Sequence, residues 1–250
     1  MVNGTGKRSK KGKATKPAPA NESKPKKDVR ISTFVRLQVQ IRFMIMWLQQ
    51  GHDFRCVPKS VAVIFDKCLN NDLEKRAVVD ELGFGVFSHL TNYYLKQKVL
   101  KQIYNRFDTY DNTIHTVAGE VEITTEKIGK ALGLTTQVYP LHPTIKIRFG
   151  TTYDDKVTPK ELSEENHNVY KFFQSKTQAA LSSLIFNTTV DTEENRNLFK
   201  RAFLLYIQKC FLLPTSAPNV TPRALPTIFD LENTRNKNWA LHVHNFLWRR

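Results

Sequence analysis

The sequence predicts a mainly α-helical domain with a small β-hairpin, an α+β fold, after a disordered N-terminal tail. Three observations predict this. Apolar residues recur at helical spacing through most of 58–248, the block 107–123 alternates as strands do, and residues 1–30 are polar and cationic. Of the 250 residues, 40% are hydrophobic, which suffices for a single multi-helix core.

Residues 1–30 carry 10 Lys or Arg against Glu22 and Asp28, and so hold more than half of the chain's net charge of +15. A segment so poor in apolar residues cannot bury enough surface to offset its ordering entropy, and we expect it to be disordered. Its basic residues form two clusters with the separation of a bipartite nuclear-import signal, and flexible lysines can also bind the phosphates of nucleic acids. A solubilising tail without a receptor is the alternative. The candidate contact residues are Lys7, Arg8, Lys10, Lys11, Lys13, Lys24, Lys26 and Lys27.

Residues 31–54 are predicted to be an atypical insertion or an extra element. Apolar and polar residues alternate through 35–47, which is a strand signature, and Gly51 ends the segment. The interleaved basic and aromatic residues are also typical of a nucleic-acid surface, but an ordinary half-buried element is the favoured interpretation.

The helical pattern begins at Pro58, a residue that suits a first helical turn. Asn71 is the predicted cap of a second helix, and Gly83 is predicted to end that helix in the left-handed conformation. A third helix is expected from Thr91 to Arg106. The apolar residues of the first helix are Val61, Ile64, Phe65 and Leu69.

The block that follows predicts the hairpin. Residues 107–118 indicate one strand and 120–123 a second, with Ala118-Gly119 as the turn. Thr124 or Thr125 then caps a short helix, which Gly133 ends. The elements expected beyond it are a loop at 134–158, a helix from Pro159 with helical material to Phe186, a long central helix at 193–213 capped by Thr192, a proline-rich loop at 214–226 and a last helix at 231–248.

A search for chemistry predicts no catalytic, metal-binding or cofactor-binding residue, and so no enzyme. The three cysteines form an odd, sparse set typical of a reducing compartment, and Cys210 lies in an apolar helix, where a thiol behaves as a small hydrophobic group. His242 and His244 point apart on a helix and lack further ligands. No apolar stretch is long enough to cross a membrane.

The block 116–134 contains a strand, a Gly-Glu turn, a second strand and a Thr-capped helix ending in Leu-Gly-Leu. This order of elements resembles the signature of the plant mobile domain. Further blocks resemble the N-terminal region of transposon-carried, SUMO-protease-like plant proteins. The resemblance implies that residues 55–250 form a C-terminally truncated mobile-domain-like module, whose family places its His–Asp–Cys protease domain downstream. These further blocks are Arg55–Ser60, Val79–Gly85, Phe199–Gln208 and Asn238–Val243.

The functional prediction is a non-catalytic nuclear module of transposon origin that binds protein or nucleic acid. Its expected partners are a nuclear import receptor, held by the tail, and DNA, RNA or a chromatin protein. No membrane or small-molecule substrate is expected. Two alternatives remain: an N-terminal fragment of a SUMO-type cysteine protease, or a non-functional truncated gene product.

Overall fold

The computed structural model describes residues 1, 58–90, 102, 105–108, 110–136, 162–215 and 217–248. Within these ranges the predicted fold class is confirmed, because seven α-helices accompany one small antiparallel sheet. Several predictions lie outside the described residues: the tail 1–30, the segment 31–54, almost all of the helix 91–106, the loop 137–158 and the helix start at Pro159.

The elements follow one another in this order. The helices are α1 (Pro58–Ile64), α2 (Leu73–Glu81), α3 (Thr125–Leu132), α4 (Glu164–Phe173), α5 (Gln178–Asn187), α6 (Glu193–Ile207) and α7 (Trp239–Trp248). The strands are β1 (Phe107–Asp108), β2 (Thr113–Thr116) and β3 (Gly119–Glu122). π-Helical turns extend α1 (Phe65–Leu69) and α6 (Gln208–Leu212), and 3-10 turns cover Gly85–His89, Leu225–Ile228 and Thr234–Asn236. No helix of the described residues is long and apolar enough to cross a membrane.

Helix α6 lies at the centre of the core, as its nearly all-round apolar sequence predicts. It packs against α5, α2 and the Leu225–Ile228 turn. Phe203, which is 1% exposed, has its ring 6.3 Å from the rings of both Phe65 and Phe84. Burying one phenyl ring stabilises the folded state by about 1.5–3 kcal/mol. The helices that pack against α6 therefore draw much of their stability from contact with it.

Three predicted helix ends are confirmed around α2, α3 and α6, and the predicted cap of α2 is wrong. Thr192 caps α6, and Gly83 and Gly133 end their helices at φ angles of +87° and +66°. The cap of α2 is Asp72 and not Asn71, because the Asp72 carboxylate accepts a hydrogen bond from the Lys75 N–H at 3.0 Å. The Asn71 amide instead donates to the Lys67 carbonyl of the preceding turn.

The single strand predicted at 107–118 is two strands, so the predicted hairpin is a three-stranded sheet of order β1-β2-β3. A turn separates them: Asp108 and Asp111 accept backbone N–H groups two residues on, and Asn112 has a φ of +61°. Short polar side chains that bond to the nearby backbone compete with a strand ladder in this way. Thr124 then caps α3 by accepting from the Lys127 N–H at 3.3 Å.

The last helix begins at Trp239, eight residues later than its predicted start at 231. The Asn238 side chain accepts a hydrogen bond from the Leu241 N–H at 2.9 Å, and so takes the capping position. Trp239 and Val243 are buried, whereas Leu241 is 39% exposed. Helix α7 packs against α3, which places the sheet-and-helix unit beside the C-terminal helix.

Candidate functional site

The eight basic residues that form the predicted contact site lie outside the described residues. They are Lys7, Arg8, Lys10, Lys11, Lys13, Lys24, Lys26 and Lys27. Their role in import or phosphate contact stays a prediction. The candidate site of the folded part must therefore be found among other residues.

The charge of the described part differs sharply from that of the whole chain. The chain has 38 Lys or Arg against 23 Asp or Glu, whereas the described ranges contain 16 Lys or Arg against 17 Asp or Glu. The basic excess therefore lies entirely in the remaining segments. Since nucleic-acid surfaces are strongly basic, the described part lacks the charge that would hold phosphates.

The two cysteines of the described ranges are buried and free. Burial raises the pKa of Cys210 to about 12, and the neighbouring Tyr206 hydroxyl only partly opposes this shift. Burial likewise raises the pKa of Cys68, whose thiol donates to the Ile185 carbonyl at 3.7 Å. A thiol that stays protonated near neutral pH is a poor nucleophile, so both side chains serve packing.

A buried chain of hydrogen bonds runs beside the π-helical turn of α6. The Gln208 amide donates to the Leu204 carbonyl at 3.1 Å and to the Thr227 hydroxyl at 2.8 Å. Its carbonyl oxygen lies 3.2 Å from Nε2 of His242. The Thr227 hydroxyl in turn donates to the Ala224 carbonyl. The chain ties α7 to α6 and to the Leu225–Ile228 turn.

The ionisable members of this region carry shifted pKa values. Burial, helped by the nearby Lys237 ammonium, lowers the pKa of His242 to about 4, so its imidazole is neutral at pH 7. Burial lowers the pKa of Lys237 to about 8, against the opposing effect of Asp230. The Lys237 ammonium contacts the Asp230 carbonyl and lies 3.6 Å from the Asp230 carboxylate. His242 is thus a structural hydrogen-bond partner here.

Three exposed side chains, Asp108, Asp111 and His115, could bring ligand atoms within 4.8 Å of one another. Each already has a partner. The two carboxylates close the β1–β2 turn, and Nδ1 of His115 lies 3.3 Å from Oε1 of Glu120. These contacts account for the cluster without a metal ion.

The strongest candidate for binding is a pocket beside the first half of α6, here called the α6 pocket. It is lined by Glu193, Asn197, Lys200 and Arg201 of that helix and by residues 229–233. Its volume is about 430 Å³, which lies within the range of small-ligand and side-chain pockets. Phe229 and Leu231 supply apolar wall, and the other lining residues are polar or charged.

Most of the charges around the α6 pocket are paired. The Lys200 ammonium lies 2.9 Å from the Glu81 carboxylate, which Arg196 also contacts, and Lys237 holds Asp230. Burial alone would raise the pKa of Glu81, but the hydrogen bonds from Lys200 and Arg196 lower it. Arg201 differs: its Nε donates to the Ile228 carbonyl at 3.4 Å, and burial lowers its pKa.

The comparison with protein families gives one match. A family model described as a domain of unknown function (DUF8566) covers residues 54–250 of the chain. The chain belongs to this family. No curated protein and no solved structure matches it. The family description names no activity, so the function of this DUF8566 domain has to be argued from its residues.

Sequence analysis did not single out the α6 pocket of the DUF8566 domain. One signal was present, because Lys200 and Arg201 interrupt an otherwise apolar run from Phe199 to Ile207. Cations in the middle of a core helix need an explanation. What the sequence could not show is that the chain returns at 229–233 to form the opposite wall.

Proposed function

We propose that this DUF8566 chain is a non-catalytic nuclear module of transposon origin. Its folded domain recognises a protein partner, and its basic tail binds a nuclear import receptor. The observation that carries the proposal is the distribution of charge. Residues 1–30 carry 10 basic and 2 acidic side chains, more than half of the net charge of +15, whereas the described part has 16 basic and 17 acidic side chains.

This distribution favours a protein partner for the described part. A nucleic-acid interface gains most of its affinity from Lys and Arg that displace counterions from phosphates. Three lysines of the described part are instead buried: Lys75, Lys200 and Lys237. Phosphate contact is expected from the basic segments outside the described residues, of which the tail carries the largest charge.

The chemistry of the buried groups supports a non-catalytic role. The Cys68 and Cys210 thiols are held protonated by burial, and the His242 imidazole is engaged by Gln208. None of these is the exposed, activated group that nucleophilic catalysis requires. The protease alternative therefore has only the family resemblance behind it.

The transposon origin rests on the resemblance to the plant mobile domain. The block 116–134 spans the end of β2, β3 and α3, and Phe199–Gln208 spans the second half of α6 and the start of its π-helical turn. Both blocks contain core residues, such as Ile123 and Ile128 in the first and Phe199 and Phe203 in the second. A shared core is a reason to expect a shared fold, and it transfers no catalytic activity.

Import is tested with the full chain fused to a reporter too large to enter the nucleus by diffusion. Replacing the eight basic residues of the candidate contact site by Gln should abolish nuclear accumulation. Replacing the same eight by the other basic residue, Lys by Arg and Arg by Lys, is the matched control and should leave it intact. A Gln variant that stays wholly nuclear would remove the import function.

The choice between protein and nucleic acid is tested by a salt titration of duplex-DNA binding. The full chain should bind weakly, with an affinity that falls steeply with salt, and the eight-Gln variant should lose most of that salt dependence, because each phosphate contact contributes a slope of about −0.9. Equal DNA binding by the two proteins would place the interface outside the tail and contradict the proposal.

A further inference from the structure

Arg201 is the feature of the α6 pocket that the packing of the domain does not explain. It lies in the central helix between two buried residues, Lys200 and Ala202. Burial lowers the pKa of its guanidinium, and the charge of Glu165 opposes this shift without forming an ion pair within 4.0 Å. A partly desolvated guanidinium is normally neutralised by a carboxylate, often through two parallel hydrogen bonds. Among the described residues, no carboxylate oxygen lies within 4.0 Å of Arg201.

The other cations near this pocket already have acidic partners. Lys200 and Arg196 share Glu81, and Lys237 holds Asp230. The only hydrogen bond of Arg201 within the described ranges is the long one from Nε to the Ile228 carbonyl. No described residue hydrogen-bonds its terminal nitrogens, which form the fork that recognises carboxylates, and Arg201 lines a pocket of about 430 Å³.

We propose that the α6 pocket binds an acidic side chain of a partner polypeptide, with Arg201 as the counter-ion of its carboxylate. This inference rests on the proposed function, and it adds the location and chemistry of the protein-binding site. Phe229 and Leu231 would pack against the aliphatic part of the bound side chain, since both are half-buried and line the pocket.

The acidic residues of the same pocket decide which anion fits. Glu193 and Glu232 are exposed and line it beside Asp230. A phosphate with nearly two negative charges would meet these carboxylates with one available guanidinium, whereas a carboxylate carries a single charge. Glu193 and Glu232 can in turn attract a cation. The expected ligand is therefore a peptide with an acidic residue next to Lys or Arg.

The test follows the Arg Nε–Hε resonances of the ¹⁵N-labelled full chain during titration with capped tripeptides. The probe is acetyl-Lys-Glu-Lys-amide, and acetyl-Lys-Gln-Lys-amide is the isosteric control. We expect a saturable shift of the Arg201 resonance with the first peptide and at least tenfold weaker binding of the second. Inorganic phosphate should also bind at least tenfold more weakly.

Two variants complete the experiment. Arg201→Gln should abolish binding, while Arg106→Gln, which changes an exposed arginine elsewhere, should not. Arg201→Lys keeps the charge but loses the fork, and should weaken binding several-fold. Arg201→Lys also tests the proposal if Arg201→Gln folds poorly. A stabilising role alone predicts lower thermal stability for Arg201→Gln with unchanged binding in Arg201→Lys.

The proposal is overturned by equal binding of the two tripeptides, by phosphate binding as tightly as the acidic peptide, or by no saturable Arg201 shift up to about 20 mM peptide. None of these outcomes bears on import or on the salt dependence of DNA binding. Failure of the pocket and failure of the proposed function are therefore distinguishable.

Discussion

The Nζ atom of Lys200 lies 2.9 Å from Oε1 of Glu81, and this ion pair joins the central helix α6 to the last residue of α2. The lysine side chain is only 9% exposed, whereas the glutamate is half-exposed and also contacts Arg196. The ion pair therefore joins a buried lysine to a half-exposed glutamate. Removing the lysine and removing the glutamate should lower the free energy of unfolding by different amounts.

Glu81→Gln should lower the free energy of unfolding by about 1–3 kcal/mol, because it leaves the buried Lys200 ammonium without a carboxylate. Lys200→Met should lower the free energy of unfolding less, since methionine keeps the apolar packing of the lysine methylenes and Glu81 keeps its ion pair with Arg196. The double variant should be more stable than the sum of the two losses predicts. Urea denaturation of the four proteins measures this coupling, and strict additivity would contradict it.

His242 should make the domain sensitive to acid. Its pKa is about 4 in the folded protein against an ordinary value of 6.5, so the unfolded chain binds a proton in this window that the folded chain does not. The free energy of unfolding should therefore fall as the pH falls from 6.5 towards 4.

His242→Gln keeps a donor for Gln208 and should reduce this loss of stability. Urea denaturation at about pH 7 and about pH 5 gives the comparison. His89→Gln, at an exposed position, controls for the number of histidines. An identical pH slope in His242→Gln and in the unmodified protein would show that His242 is not the responsible group.

Gly133 should tolerate alanine poorly for two reasons. Its φ of +66° disfavours any residue with a Cβ, and a Cβ there would lie 2.6 Å from Cγ2 of Val86. Gly133→Ala should cost about 2 kcal/mol, roughly half of it from the backbone. Adding Val86→Ala removes the clash, so part of the cost of Gly133→Ala should disappear in the Val86→Ala background.

Gly83→Ala provides the matched control. Its φ of +87° is also left-handed, but a Cβ at this position would lie no closer than 3.4 Å to Arg235. It should cost less than Gly133→Ala in thermal denaturation, and Val86→Ala should not rescue it. Equal losses at the two glycines would mean that the Val86 contact relaxes freely.

Cys68 and Cys210 should be unreactive in the folded protein, because burial raises the pKa of both thiols. In a Cys56→Ser variant, a colourless disulfide reagent at neutral pH should release almost no thiolate until denaturant is added, and then about two equivalents. Rapid labelling without denaturant would contradict the burial of these side chains and revive the search for a nucleophile.

The amino-acid sequence by itself determined the local ends of the elements. Thr124 and Thr192 begin helices and Gly133 ends one, because each acts on backbone groups within about four residues. The central place of α6 also follows from sequence, since a helix apolar on nearly all sides can only be stable when surrounded. Where local prediction was wrong, at residues 110–112, short-range bonds of Asp108 and Asp111 outcompeted the strand pattern.

The tertiary structure alone decided the contacts between distant residues. Lys75 binds the carbonyls of Ile185 and Phe186 at the end of α5, more than a hundred positions away. The α6 pocket needs residues 229–233 to return beside Arg201. Such contacts depend on how whole helices pack, and a sequence pattern records which residues are apolar but not which partner meets each buried cation. That is why the sequence predicted the core, and only the packed chain shows that no carboxylate of the described residues lies within 4.0 Å of Arg201.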